Sequence, residues 1–408
     1  MKIVFIQPRT FHTWEALNIG YIAAYLRTQG FNDLEFYSGF FDDDERIVAA
    51  ARRADVVAFS CTSPQMKHGL ELAAKIKTAK NKTVFGGVHP SALPDEVLET
   101  GLVDTVVVGE GEEAFLDFLQ GDQRPILRKR YIRDLDNLPF PDRLLIKQER
   151  NIAEAFRDNG FRIASILASR GCPYRCTFCA SRSVWSRKVR FRSASNIYEE
   201  FSNLVADFKI DFIKFSDDTF ALKESLLTQF CEAKIAAGDK TRWGCNVRVD
   251  TVKRATLELM RAANCMEVWF GVESGSPKIL AEMNKGTTVE QVIDTFAVTK
   301  ELGFYRRAYV LLGMPHESRE DIRLTEQLID KITPDAVGFT ILAPYPGTTY
   351  HDPDAHAGVD WSVVDEYENK ITRTDHLTND ELRREQARLV KKYLKTAVFR
   401  QKTQELVI

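Results

Sequence analysis

Short apolar runs alternate with amphipathic stretches in two long series along this chain, and that alternation is the pattern of βα units that build parallel sheets. In the first series, residues 2–7, 34–37, 56–60, 83–85 and 105–108 read as strands. Residues 16–28, 43–53, 65–77, 94–100 and 112–119 read as the helices between them. Five such units make a doubly wound sheet, whose ligand crevice opens at the carboxyl ends of the strands. The second series predicts strands at 162–168, 212–215, 243–247, 268–272, 308–312 and 337–341. Six units fall short of the eight of a closed barrel, so a partial (β/α)6 barrel with an open side is expected, its chemistry collected at the carboxyl face.

The fold class is therefore α/β, in four stretches: a doubly wound domain over residues 1–121, a linker over 122–160, the partial barrel over 161–348, and a C-terminal extension over 349–408 with a charged helix at 380–396. Pro139 and Pro141 disfavour regular structure in the linker. At 408 residues the chain exceeds what one core usually supports, in keeping with two domains. A formal net charge of -2 gives no electrostatic footprint for nucleic acid, so none is expected as a partner. No run approaches the length of a membrane span, and the first residues lack the apolar length of a signal peptide. Seven cysteines, three of them bunched, fit a reducing compartment and a metal better than a disulfide framework, and the cytoplasm is the expected location.

The bunched cysteines are Cys172, Cys176 and Cys179, in Ser169-Arg170-Gly171-Cys172-Pro173-Tyr174-Arg175-Cys176-Thr177-Phe178-Cys179. Gly and Pro bend the backbone so that three thiolates can turn to one centre. A four-iron cluster usually takes four cysteines; with three, one iron keeps an open position. Structural zinc is the competing reading, but it prefers four closed ligands. The Cys-x3-Cys-x2-Cys spacing, with an aromatic before the last cysteine, resembles the signature of the radical S-adenosylmethionine superfamily. The resemblance implies a four-iron, four-sulfur (4Fe-4S) cluster on the three cysteines, with S-adenosylmethionine on the open iron and Phe178 near the adenine. Cys61, Cys231, Cys245 and Cys265 are isolated in sequence and read as buried thiols.

Small residues also sit at the strand ends of the first series: Ser60-Cys61-Thr62-Ser63, Gly86-Gly87 and Gly109-Glu110-Gly111-Glu112. They let a large ligand approach the backbone, although glycines turn strands into helices in any doubly wound sheet. The layout resembles the cobalamin-binding domain that precedes the radical domain in one branch of the superfamily. By that resemblance Ser60, Thr62, Gly86 and Gly87, with Gly109 and Glu110, would line the groove for the nucleotide tail. No Asp-x-His-x-x-Gly segment surrounds His12, His68 or His89 to ligate cobalt from below.

In the second series, Asp217 and Asp218 end the second strand, where carboxylates accept hydrogen bonds from an ammonium group such as that of S-adenosylmethionine. Arg248 follows the third strand and has the fork for a carboxylate; Glu273 and Ser274 end the fourth and could hold ribose hydroxyls. The competing reading is an Arg248–Glu273 ion pair internal to the barrel. These segments, and Met283-Asn284-Lys285-Gly286, resemble the same branch. Leu311-Leu312-Gly313-Met314-Pro315 would pack on adenine, Tyr345 would face the substrate, and His351 and His356 read as solvent-exposed.

Together the resemblance implies a cobalamin-dependent radical S-adenosylmethionine enzyme. Such an enzyme cleaves the sulfonium reductively to a 5′-deoxyadenosyl radical and, most often, methylates an unactivated carbon of a small-molecule substrate. It would need an electron donor such as flavodoxin or ferredoxin. No catalytic acid or base is singled out. Ring closure, ring rearrangement or carbon–carbon coupling are alternatives within the same architecture. A cobalamin- or flavin-binding sensor with a degenerate barrel is the alternative from another class.

Overall fold

The computed structural model describes residues 1–10, 14–128, 131–185, 187–365, 367 and 369–394, so His12 and the last residues of the expected C-terminal helix lie outside it. The first sheet is built from β1 (Ile3–Gln7), β2 (Leu34–Ser38), β3 (Val56–Ser60), β4 (Lys82–Gly86), β5 (Thr105–Val108) and β6 (Ile126–Arg128), in the order β2-β1-β3-β4-β5-β6. All pairings are parallel. Its strands are apolar on both faces, as a parallel sheet covered twice by helices demands. Ile3, Phe5 and Ala58 pack into one core, Val4, Ile6 and Val57 into the other. The strand order reverses between β1 and β3, where a doubly wound sheet opens its crevice.

The second sheet runs in sequence order through β7 (Ile163–Ile166), then, past the short antiparallel pair β8 (Ser169–Arg170) and β9 (Arg190–Phe191), β10 (Phe212–Phe215), β11 (Arg242–Val247), β12 (Cys265–Glu273), β13 (Tyr305–Leu312) and β14 (Ala336–Ile341). Its pairings too are parallel, and β7 and β14 do not pair with each other among the described residues. This is the open-sided six-unit barrel expected from the alternation. The helix Asn379–Leu394 lies against the edge strand β14, setting Leu382 and Leu389 into the barrel core and donating from Gln386 Nε2 to Phe339 O at 2.9 Å. An edge covered this way is not free to pair with another chain.

The stretch 122–160 is irregular around Pro139 and Pro141, as expected, but regular structure forms on either side of them. It supplies β6 to the first sheet and the helix Gln148–Asn159, whose Ile152 is fully buried in the barrel core. Between them Arg143 joins the two domains: Nη1 donates to Glu15 Oε2 (3.2 Å), and Nη2 donates to Glu200 Oε1 (2.8 Å) and Ser165 O (2.8 Å). The C-terminal extension then crosses back, and Lys67 of the first domain pairs with Asp360 at 2.6 Å.

Candidate functional site

The loop that carries the three cysteines has no regular structure, so its shape depends on what ties its backbone. Thr177 N–H donates to Met283 O at 3.0 Å, Thr177 O accepts from Thr349 N–H at 2.9 Å, and Asn284 Nδ2 donates to Arg175 O at 3.0 Å. Cys172, Cys176 and Cys179 are free and half-buried. Burial raises the Cys172 and Cys176 thiols, and the three lie near enough to influence one another electrostatically; Lys285 and Arg248 pull Cys176 back down. Among the described residues, no three His, Cys, Asp or Glu side chains converge closely enough to hold a single metal ion. Three neighbouring thiols with no fourth cysteine or histidine in the loop, beside two cations, leave a tetrahedral zinc one protein ligand short and suit a cubane with one open iron.

Arg248 lies with its guanidinium 3.6 Å from the centroid of the Tyr174 ring, inside the cysteine loop. Its fork is engaged by Asp250 (2.9 Å to each oxygen), and Nη2 also donates to Lys285 O at 2.7 Å. Of the two readings of Arg248, the internal ion pair is present, with Asp250 rather than Glu273 as the partner. Glu273 instead meets Lys285 Nζ at 2.7 Å, at a register shift against β13 and with φ of +62°. Such an irregularity re-aims a side chain at a strand end. Lys285 Nζ in turn stands 5.8 Å from the Phe178 ring centroid. Phe178 packs against the apolar cluster that includes Leu311 and Met314, from the segment expected beside adenine.

The two adjacent aspartates are not equivalent. Asp217 is fully buried and accepts from Ala168 N–H and the Ser169 hydroxyl, binding the end of β7 to that of β10; burial pushes its pKa up to about 6. Asp218 turns the other way and lines the cleft described below. Ser274 is also fully buried, its hydroxyl bonded to Thr325 Oγ1 at 3.1 Å and accepting from Ser276 N–H at 3.1 Å, and it is not among the residues that line that cleft. These two positions hold strand ends in place; Asp218 and Glu273 remain as candidates for S-adenosylmethionine contact.

A cleft of about 580 Å³ lies between the carboxyl ends of the two sheets. Ser60, Thr62, Gly86, Gly87, Gly109 and Glu110 all line it from the first domain, and Arg170, Ala180, Asp218 and Tyr345 line it from the second. Gly87 has φ of +103°, and a Cβ there would sit 2.6 Å from Cys61 O. No side chain fits, and the groove floor stays bare backbone, the cradle a bulky ligand needs. Ser60 Oγ accepts from Asn18 Nδ2 at 2.6 Å, and the Thr62 N–H and hydroxyl both engage Gln65 Oε1 (2.9 and 3.0 Å). Glu110 accepts from Ile132 N–H at 2.8 Å and pairs with Arg190; Glu112 pairs with Arg170 Nη2 at 2.6 Å, both side chains buried. Arg170 ends the short strand that leads into the cysteine loop, so its pairing with Glu112 fastens that strand to the groove.

Several features were not foreseen. Glu317 is fully buried and accepts from Gly313 N–H; burial pushes its pKa up to about 8 and Oε1 has no hydrogen-bond partner among the described residues. Cys231, Cys245 and Cys265, isolated in sequence, share one core and influence one another electrostatically. His351 and His356 are half-buried instead of exposed, their rings stacked 5.5 Å apart and packed on Trp361, and the buried His89 ring approaches the same tryptophan at 6.4 Å.

Comparison with known proteins places this geometry. Residues 166–329 match the radical SAM superfamily, and residues 9–119 match the B12-binding domain. More narrowly, the chain belongs to the radical S-adenosylmethionine enzymes that carry a cobalamin-binding domain. The cofactors of that family are the 4Fe-4S cluster, S-adenosylmethionine and cobalamin. An uncharacterized methyltransferase of Pyrococcus horikoshii is 28% identical over 383 residues, which cover 85% of this chain and 82% of that protein. An anaerobic magnesium-protoporphyrin IX monomethyl ester cyclase of Cereibacter sphaeroides is 27% identical, over 85% of this chain and 63% of that protein. Among solved structures, the radical S-adenosylmethionine methyltransferase TsrM of Kitasatospora setae superposes with a TM-score of 0.70 at 18% identity, over 86% of this chain and 74% of that one. No helix among the described residues is long and apolar enough to cross a membrane.

Proposed function

We propose that this chain is a cobalamin-dependent radical S-adenosylmethionine methyltransferase acting on an unactivated carbon of a small molecule. The observation that carries the reading is the single cleft: the bare glycine groove of the first sheet and Asp218 of the barrel face the same space. Cys172, Cys176 and Cys179 would hold the cluster, and the groove from Ser60 to Gly109 would hold cobalamin. When bound, these groups supply one-electron cleavage of the sulfonium and the methyl group. The chain's own part is positional. Arg248, held by Asp250, packs on Tyr174 and with it braces the cysteine loop, Lys285 carries positive charge to Cys176, and its pairing with Glu273 would orient that carboxylate towards the nucleoside. Asp218 would accept the ammonium group. Glu110 and Glu112 keep the groove in register with the barrel through Arg190 and Arg170.

The electron has to come from outside. Residues 170–192 carry seven basic residues and no acid; Arg170, Arg190 and Arg192 are consumed by inward ion pairs, while Arg175, Arg182, Arg187 and Lys188 face outward. An acidic one-electron carrier of the flavodoxin or ferredoxin kind would dock there. All seven cysteines are free, which fits the cytoplasm.

Incubating the reconstituted, reduced protein with methyl-labelled S-adenosylmethionine and candidate substrates tests the reading. Label in the product supports methyl transfer; deoxyadenosine release with an unlabelled, rearranged product favours the second reading, ring closure, to which the similarity to the cyclase gives weight. Retention of cobalamin without any cleavage would instead support a sensor.

A further inference from the structure

At the opposite end of the barrel from the cleft, the amino-terminal ends of β7 and β10 to β13 enclose a separate cavity of about 190 Å³. It shares no residue with the cleft. Three cations line it, Lys214, Arg242 and Arg307, against one carboxylate, Glu267. Arg242 packs over the Phe161 ring at 5.6 Å, and Glu267 Oε2 accepts from Trp269 Nε1 at 3.1 Å. The Lys214 ammonium stands 5.4 Å from the Trp269 ring centroid, and among the described residues it has neither a hydrogen bond nor an ion pair. The nearest carboxylates are Glu15 and Glu267, and Glu15 is already engaged by Arg143, Gln148 and the Ser165 N–H.

A cation drawn partly out of water without a hydrogen bond or ion pair is costly, and Lys214 is in that position. Burial holds the Lys214 pKa below its ordinary value and raises that of Glu267, so an anion seated beside Lys214 would favour its charged form. The remaining walls are flat and apolar, chiefly Trp269, Phe161 and Phe212.

We propose that this barrel-floor cavity is a second ligand site, for a small organic anion whose carboxylate or phosphate head pairs with Lys214 and whose planar body lies against Trp269. A ligand there reaches the chemistry only through the strands, so it would act on stability or on the tilt of β10 to β13.

Isothermal titration of the cluster- and cobalamin-loaded protein with benzoate, phenyl phosphate and the neutral benzyl alcohol tests this, with Trp269 fluorescence as a second readout. The expected result is saturable binding of one anion per chain, none of the alcohol, and indifference to excess S-adenosylmethionine. Lys214→Met should weaken the anions about tenfold or more, the loss of one charge-assisted hydrogen bond, while Lys214→Arg retains them. Trp269→Phe should abolish the fluorescence response. Absence of saturable binding, equal affinity for the alcohol, undiminished affinity in a folded Lys214→Met, or displacement by S-adenosylmethionine would each overturn the proposal. Should Lys214→Met fail to fold, a fluorescence response that survives in Trp269→Phe overturns it instead.

Discussion

Replacing Arg170 by Met should loosen the seam on which the cleft depends. Arg170 and Glu112 have side chains 6% and 4% exposed and meet at 2.6 Å, one from the strand before the cysteine loop and the other from the groove. Removing one member of a buried pair leaves the other charge uncompensated, a loss of about 3–5 kcal/mol. Spread over the unfolding entropy of a 408-residue chain, this amounts to a fall in Tm of about 4–6 °C if the chain unfolds as one unit. Glu112→Gln keeps an acceptor for Arg170 and should cost less. The double variant should cost less than the two single losses together, because it removes both charges at once. Differential scanning calorimetry of the four proteins measures the cycle. A Tm shift under about 1 °C for Arg170→Met, or strictly additive losses, would refute the buried-pair reasoning.

Gly87→Ala places a Cβ 2.6 Å from Cys61 O in a backbone with φ of +103°, so it should abolish cobalamin retention while iron content after reconstitution is unchanged; corrin absorbance and iron assay check both. Arg248→Met frees Tyr174 and removes positive charge near Cys176, and should lower iron retention and deoxyadenosine release together. Burial holds His89 down to about 4, so its contribution to stability is complete above about 6.5 and lost as pH falls towards 4, about 3 kcal/mol in all. Asp217, raised to about 6 by burial, works in the opposite sense between about 3.8 and 6, so the His89 effect is read as the difference between the pH–Tm profiles of the native protein and His89→Gln. Salt should slow reduction by an acidic carrier, and Arg182→Glu should slow it further.

The strands were legible because each is a run of apolar residues with a period that only a doubly covered sheet explains. β6 was missed because its three residues, Ile126–Arg128, are too short for any period to show. The helix Gln148–Asn159 was missed because Ile152 is its one apolar residue committed to the core. At the site, the resemblance to a cobalamin-binding domain named six groove positions, and all six line one cleft. What a single sequence does not carry is facing. Asp217 and Asp218 are neighbours with opposite directions, one buried under Ala168 and Ser169 and one open to the cleft. Partners distant in the chain are equally hidden: Arg170 meets a glutamate 58 residues away, and three cysteines far apart in sequence meet where β11 and β12 pair. The polar setting of His351 and His356 concealed Trp361, which draws both rings inward.

The most direct measurement is electron paramagnetic resonance of the anaerobically reconstituted and reduced protein, with iron counting, before and after addition of S-adenosylmethionine. About four irons per chain are expected, with a cluster signal that changes when S-adenosylmethionine is added and that disappears in Cys176→Ala. A single bound metal ion, or a cluster signal indifferent to S-adenosylmethionine, would contradict the assignment of Cys172, Cys176 and Cys179 to an open-cornered cluster.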